Sequence, residues 1–231
     1  MAKIETYAWP TWLYRYRSLK ADPRTGRACL DQLAREIDAV LQGYIYCSRY
    51  TDMNDPMEGF YRASIRARDH EEYSAFIADV REEKLGLGIA SLSETWYNEL
   101  MWAHYADQFR GICVVYVASR LLHGLSDGDR FARVAYGDKP YHINLEGLRS
   151  DARARAILST KNLKWSYERE WRLFAKAPGE AHHGHGVIPT IFLGTRMHID
   201  DRDEIARRLE GSGIQIKPTC VDGYEIKELE S

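Results

Sequence analysis

The sequence predicts an α+β fold, a curved or split β-sheet sandwich with helices on the outside. Two observations support this class: most of the predicted strands are short, and helical segments are interspersed among them early in the chain, whereas strands cluster towards its end. Of the 231 residues, 45% are hydrophobic and 29% are charged, which is the balance of a soluble globular chain. No repeat and no linker rich in Gly, Pro or Ser divides the sequence, so we expect one domain over residues 1–231.

The elements follow from hydrophobic periodicity and from turn residues. Alternating or continuous apolar runs predict strands, and apolar residues at helical spacing predict helices. Gly43 suits the end of the first helix, and Asn54-Asp55-Pro56 predicts a turn. Residues 177–186 are expected to form an exposed loop. The predicted strands are 12–18, 44–48, 88–93, 111–117, 130–136, 168–176, 187–193, 214–217 and 221–226, and the predicted helices are 29–42, 70–84, 98–106, 145–158 and 200–209.

Composition also excludes some classes of protein. The net charge of −2 provides no large basic surface for nucleic acid. No apolar run approaches the roughly 18 residues of a membrane span, and the N-terminus has no signal-peptide pattern, so we expect a cytoplasmic protein without a membrane partner. The four cysteines are far apart in the sequence, which favours buried thiols over disulfides or zinc ligands. The chain has no dinucleotide-binding glycine fingerprint, P-loop or nucleophile elbow.

One late strand carries acids where a buried strand usually carries apolar residues. Alternation along the predicted strand 168–176 places Glu168, Glu170 and Arg172 on one face. Two carboxylates roughly 7 Å apart repel each other unless water, an arginine or a ligand cation relieves them. The pattern therefore indicates either a binding face or a solvated strand face with Glu/Arg ladders.

Two further strands carry polar pairs. Ser91 and Ser93 share one face, where paired hydroxyls could bind a ligand or orient a carboxylate, or could simply face water. Arg15 and Arg17 also share a face, and their donors suit phosphate or carboxylate. The alternative for this arginine pair is an edge strand whose charges oppose aggregation.

The histidines allow competing interpretations. His104 lies in the segment MWAHYAD and is either a general base or a structural histidine that holds its helix in place. A cluster in the Gly-rich loop has no carboxylate or cysteine at ligand spacing, so we expect no specific metal site. This cluster consists of His182, His183 and His185.

Taken together, these segments resemble a bacterial family called domain of unknown function 2971. The resemblance is carried by the words NDPxE, MWAHYAD and YEREWRL, in that order, over about residues 13–195. The family name implies no activity.

A second resemblance does imply an activity. An arginine on an early strand, Ser-x-Ser on a middle strand and Glu-x-Glu on a late strand are similar to the arginine–serine–glutamate pattern of ADP-ribosyltransferases. Members of that class bind NAD as a substrate in a split β-sandwich and need no metal. The resemblance implies that Glu170 is the catalytic carboxylate and that Glu168 faces the acceptor, which would be a protein or a nucleic acid.

The same resemblance assigns the remaining roles. Arg15 or Arg17 would hold the dinucleotide phosphates, and Ser91 and Ser93 would order the nicotinamide ribose and the glutamate. A toxin or phage-defence effector would fit such an activity. Outside that pattern, further candidates for contact with the dinucleotide are Tyr16, Asn54 and Tyr105.

Two other functions stay open at this point. One is a metal-dependent nuclease or hydrolase built from His104, Asp55, Glu58 and Glu168, although the sequence scatters these ligands. The other is a non-catalytic module that binds a nucleotide or a protein through its Tyr- and Trp-rich segments.

Overall fold

The computed structural model describes residues 9–63, 71–143 and 149–229. It is an α+β structure with a mixed sheet, as the sequence predicts. The chain divides into two compact units. Unit 1 comprises residues 1–43, 94–125 and 183–231, and unit 2 comprises residues 44–93 and 126–182. The expectation of one domain stays a prediction.

The elements are numbered in chain order. The strands are β1 (Trp12–Arg17), β2 (Tyr44–Cys47), β3 (Tyr61–Ala63), β4 (Gly88–Ser93), β5 (Ile112–Val117), β6 (Arg130–Arg133), β7 (Ala135–Gly137), β8 (Tyr141–Ile143), β9 (Thr160–Asn162), β10 (Glu170–Ala175), β11 (Gly179–His182), β12 (Thr190–Leu193), β13 (Gln215–Asp222) and β14 (Glu225–Glu228). The α-helices are α1 (Leu30–Gln42), α2 (Glu71–Gly86), α3 (Glu99–Tyr105), α4 (Ala118–Gly124), α5 (Ser150–Leu158) and α6 (Ile199–Leu209). Two 3₁₀ helices cover Tyr50–Asp52 and Leu163–Glu168.

Unit 1 contains the strands β14, β13, β12, β5 and β1 in that spatial order. Only β12 and β13 run parallel; the other neighbouring pairs are antiparallel. Helix α1 forms because Leu33, Ile37 and Val40 recur on one face and are buried. Its end is set by Gly43, which adopts the left-handed backbone conformation at φ +71° and donates its N–H to the Ala39 carbonyl.

Unit 2 is organised around β10, which pairs antiparallel with β4 on one side and with β6 on the other. The register places Ser93 opposite Glu170 and Ser91 opposite Arg172. Since directly opposite residues point to the same side of a sheet, these four side chains share one face. Helices α2 and α5 pack over a core on this same face, which Ile89 and Phe174 continue along the two strands.

Three short two-stranded ladders complete unit 2: β2 with β11, β3 with β8, and β7 with β9. The last ladder is parallel and places Tyr136 opposite Lys161. It therefore brings together two residues that are 25 positions apart in the sequence. The hydrophobic pattern of the sequence did not predict this pairing.

Several predicted elements differ from the observed ones. The loop expected over 177–186 contains β11, and His183 is buried, because these residues pair with β2 and with the end of α1. The strand expected over 130–136 divides at Val134 into β6 and β7, which join different ladders. Helix α5 begins at Ser150, and residues 145–148 of the predicted helix lie outside the described ranges, as does residue 70 of the second predicted helix.

The cysteines follow the prediction only in part. Cys47 and Cys113 are buried thiols, Cys220 is half-buried and Cys29 is exposed, and all four are free. Among the helices in the described ranges, none combines the length and the apolar composition that crossing a membrane requires.

Candidate functional site

Unit 2 buries five charged side chains in mutual contact, and we call them the charged cluster. Three are carboxylates and two are cations, and each side chain is at most 7% exposed. Its members are Glu58, Lys161, Glu168, Glu170 and Arg172. Because charges are costly to remove from water, such a group persists only where its partners compensate it.

Arg172 lies between two carboxylates. Its Nε donates to Glu170 Oε1 at 2.8 Å and its NH2 to Glu170 Oε2 at 3.1 Å. On the other side, NH1 and NH2 donate to the two oxygens of Glu58 at 2.5 and 2.9 Å. NH1 also donates to the Leu158 carbonyl. All five guanidinium N–H groups therefore have acceptors, and the plane of the group is fixed.

Lys161 bridges the other two acids. Its Nζ lies 2.6 Å from Glu168 Oε2 and 3.0 Å from Glu170 Oε2. The cluster thus alternates in charge along the path Glu58, Arg172, Glu170, Lys161, Glu168. The sequence predicts that Glu168 and Glu170 repel each other, and in the structure Lys161 relieves this repulsion.

Three hydroxyl groups complete the surroundings of the acids. Ser91, which is half-buried, lies on the same face as Glu170, and its hydroxyl helps to lower the pKa of the Glu170 carboxyl. Ser93 is fully buried and donates to the Glu168 backbone carbonyl at 2.7 Å. The Tyr136 hydroxyl accepts the Glu170 backbone N–H at 2.9 Å. Ser93 and Tyr136 therefore hold the backbone on both sides of Arg169, at Glu168 and at Glu170.

The electrostatic balance keeps Glu170 ionised. Burial raises the pKa of its carboxyl, but Arg172, Lys161 and the Ser91 hydroxyl outweigh burial and lower the pKa to about 2. Burial lowers the pKa of the Arg172 guanidinium, and Glu170 and Glu58 reverse this and raise it. The site is therefore a fixed, ionised carboxylate in a dry environment, where its charge acts more strongly than in water.

The route by which Glu168 reaches the cluster differs from the prediction. Glu168 is not on the strand: it ends the 3₁₀ helix Leu163–Glu168, and Arg169 follows with a left-handed backbone at φ +44°. This turn directs both acids towards Lys161. The solvated-face interpretation of this segment is wrong, because every residue of β10 is buried, and it is wrong for Ser93 as well.

In unit 1, the predicted arginines lie on the face of β1 that carries Leu13. Arg17 forms a two-point ion pair with Glu36 of α1, at 2.7 and 2.5 Å. Arg15 is buried near Tyr116, where burial raises the pKa of the phenol and the charge of Arg15 opposes that rise. Neither arginine is an unpaired charge on a strand edge, so that interpretation is wrong.

The structure also shows where the other candidate residues of unit 1 lie. Tyr16 is buried, with its ring edge-on to Trp102 and its hydroxyl donating to the Thr95 carbonyl at 2.9 Å. His104 is exposed on α3, with its ring 6.3 Å from that of Tyr105. The helix begins at Asn98, whose side chain accepts N–H bonds from Leu100 and Met101.

In unit 2, Asn54 is exposed before a turn that Asp55 caps: Asp55 Oδ1 accepts the Met57 N–H at 2.9 Å. Of the acids considered for a metal hydrolase, Glu58 and Glu168 are held by Arg172 and Lys161. In the part of the chain that the structure describes, no group of three or more His, Cys, Asp or Glu side chains could hold a metal ion.

Sequence reasoning missed Lys161 and Tyr136. No local pattern marks either residue, because the parallel pairing of β7 with β9 is what brings them beside the acids. Two buried glutamates need a cation close by, and this need was the one indication in the sequence that a residue such as Lys161 would pair with them.

Comparison with known proteins adds one match. No curated protein and no solved structure matches the chain. Residues 101–173 match the model of a family described as "Protein of unknown function (DUF2971)". The matched residues include Tyr136 and four members of the charged cluster, but not Glu58, Ser91 or Ser93. The resemblance to domain of unknown function 2971 is thereby confirmed over these residues.

Proposed function

We propose that the chain is an ADP-ribosyltransferase-like enzyme that binds NAD and transfers or hydrolyses ADP-ribose. The observation that carries the proposal is the buried, ionised Glu170 on the same face of the paired strands as Ser91 and Ser93. The Ser-x-Ser and Glu-x-Glu segments lie far apart in the sequence, yet β4 and β10 pair in a register that places both serines on the face of Glu170. A catalytic role of these residues requires this arrangement.

The chemistry explains why a fixed carboxylate is useful. The bond between nicotinamide and C1′ of the ribose breaks, and its electron pair leaves with the nicotinamide. Positive charge develops on the ribose, as in glycoside cleavage, and a preorganised anion stabilises it more in the transition state than in the ground state. The acceptor then forms a bond to C1′ and releases its proton to solvent. Glu170 supplies the anion.

The test compares two substitutions within the charged cluster. Glu170→Gln should reduce nicotinamide release from NAD by about 100-fold or more, because the anion facing the ribose is lost. Glu168→Gln removes an equally buried acid from the same lysine, and it should retain nicotinamide release while reducing transfer to an acceptor. Thermal unfolding of both variants controls for loss of structure. Normal turnover by folded Glu170→Gln would refute the assignment.

One observation favours a second candidate, a non-catalytic module that binds a nucleotide or a protein. A carboxylate has about four lone-pair positions, and Glu170 already accepts two hydrogen bonds from Arg172 and lies 3.0 Å from Lys161 Nζ. The chain itself therefore occupies most of the positions that a ribose hydroxyl would need. Calorimetric binding of NAD without any nicotinamide release by the wild-type protein would favour this candidate.

A further inference from the structure

We infer that Glu58 is a positioning residue for Glu170, acting through Arg172; the inference rests on the proposed function. It concerns the NDPMEG segment, residues 54–59, which we call the acidic turn. The arginine–serine–glutamate pattern assigns this segment no role. In the structure, its glutamate is a buried member of the charged cluster and pairs with Arg172.

The backbone on both sides of Glu58 is fixed. Before it, the Asp55 carbonyl accepts the Glu58 N–H at 3.0 Å. After it, the Gly59 carbonyl accepts a hydrogen bond at 2.6 Å from Lys84, a buried residue of α2. The Lys84 ammonium lies 4.7 Å from the centre of the Tyr50 ring and 5.3 Å from that of Tyr61. Such anchoring holds the Glu58 carboxylate at a defined place.

In this position, Glu58 binds the edge of the Arg172 guanidinium that does not face Glu170. Its two oxygens accept from NH1 and NH2, while Nε and the second N–H of NH2 remain directed at Glu170. Without Glu58, two buried N–H groups would lose their acceptors, and the guanidinium would be free to rotate towards new ones. Glu58 therefore determines the angle at which Arg172 holds Glu170.

Glu58 also sets the charge of the cluster. Three carboxylates and two cations give the cluster a net charge of −1. Lys84 is a further basic residue near Glu58, and burial lowers the pKa of its ammonium group. Replacing Glu58 with glutamine removes one negative charge from the cluster, and this holds for either protonation state of Lys84. Since the reaction develops positive charge on the ribose, this change opposes the transition state and leaves the binding of NAD little altered.

The experiment uses the full chain with Glu58→Gln, the conservative variant Glu58→Asp, and Asp52→Asn as the matched control. Asp52 is an exposed acid six residues before Glu58, at the end of the 3₁₀ helix Tyr50–Asp52. For Glu58→Gln, kcat of nicotinamide release should fall about tenfold or more with KM for NAD within about twofold of the wild type. Glu58→Asp should recover part of the loss, and Asp52→Asn should behave as the wild type.

A readout that does not need turnover separates this inference from the proposed function. The Arg172 Nε–H should give a protected resonance in an ¹H–¹⁵N spectrum, assigned through its loss in Arg172→Lys. Glu58→Gln should shift this resonance, and Asp52→Asn should not. If wild-type protein releases no nicotinamide, the proposed function fails while the spectrum still tests the link between Glu58 and Arg172. An unmoved resonance, or an unchanged kcat in a folded Glu58→Gln protein with active wild type, would overturn the inference.

Discussion

Arg17 and Glu36 form a two-point ion pair across β1 and α1, with both nitrogen–oxygen distances at or below 2.7 Å. The Gln32 amide also donates to Glu36, at 2.7 Å, so the carboxylate that holds Arg17 is itself fixed. The two arginines of β1, which the sequence could not distinguish, thus differ: the guanidinium of Arg17 is committed to the packing of α1.

Arg17→Gln should therefore act mainly on stability. We expect a loss of about 1 kcal/mol in the free energy of unfolding, because the Arg17 side chain is 32% exposed and solvent screens part of the attraction. Urea unfolding followed by circular dichroism measures the change, with Arg24→Gln, an exposed arginine, as the control. A variant with wild-type stability and weakened NAD binding would instead assign Arg17 to the phosphates.

Acid should destabilise the protein through Glu170. Its pKa in the folded chain is lowered from 4.5 to about 2, so the ionised form stabilises the fold above pH 4.5. This contribution, on the order of 3 kcal/mol, is lost as the pH falls from about 4.5 towards 2. Unfolding free energies measured between pH 7 and pH 3 should fall less steeply in Glu170→Gln than in the wild type. The exposed Glu82→Gln should retain the wild-type slope, and equal slopes in all three proteins would contradict the prediction.

Lys161 should couple strongly to Glu168. Lys161→Met leaves two buried carboxylates without their shared cation, and we expect it to cost roughly 3–5 kcal/mol. The double variant Lys161→Met with Glu168→Gln removes one of the uncompensated charges and should be more stable than Lys161→Met alone. A double-mutant cycle by chemical unfolding measures the coupling. Additive effects would mean that the contact of 2.6 Å contributes little.

Tyr136 should affect both stability and turnover. Tyr136→Phe removes the oxygen that accepts the Glu170 N–H, and the unpaired group should cost about 1–3 kcal/mol. Because the backbone of Glu170, the proposed catalytic acid, then loses an anchor, nicotinamide release should fall about tenfold.

The matched control for Tyr136 is Tyr141→Phe. This hydroxyl also belongs to unit 2 and accepts a hydrogen bond from Arg153 at 2.7 Å, away from Glu170. It should lower stability without lowering turnover per folded molecule. Equal kinetic losses in the two variants would argue against a specific role for Tyr136.

Local sequence patterns predicted the elements that depend on local forces. Helix α1 and its end at Gly43 follow from apolar spacing and from a residue that adopts positive φ at little cost. The strands β1 and β4 appear within one residue of their predicted bounds, because apolar and polar residues mark them clearly.

The candidate site was less predictable because its geometry depends on pairing between distant segments. The sequence pattern pointed to Ser91 and Glu170. It also included Glu58 in the NDPxE motif, but it gave that motif no function. The left-handed backbone at Arg169 moved Glu168 off the strand, and no alternation rule anticipates such a residue. The position of Lys161 depends on the register of β9 against β7, which is set by tertiary packing.

The separation of Glu58 and Arg172 has a consequence for biosynthesis. The two residues are 114 positions apart, so at about 5–20 residues per second the ribosome adds Arg172 roughly 6–23 s after Glu58. During this interval the acid has no guanidinium to bind and must stay hydrated. The nascent chain therefore cannot close this part of unit 2 until β10 has emerged, and a pause in translation before residue 172 would leave the half-made sheet open to chaperones and proteases.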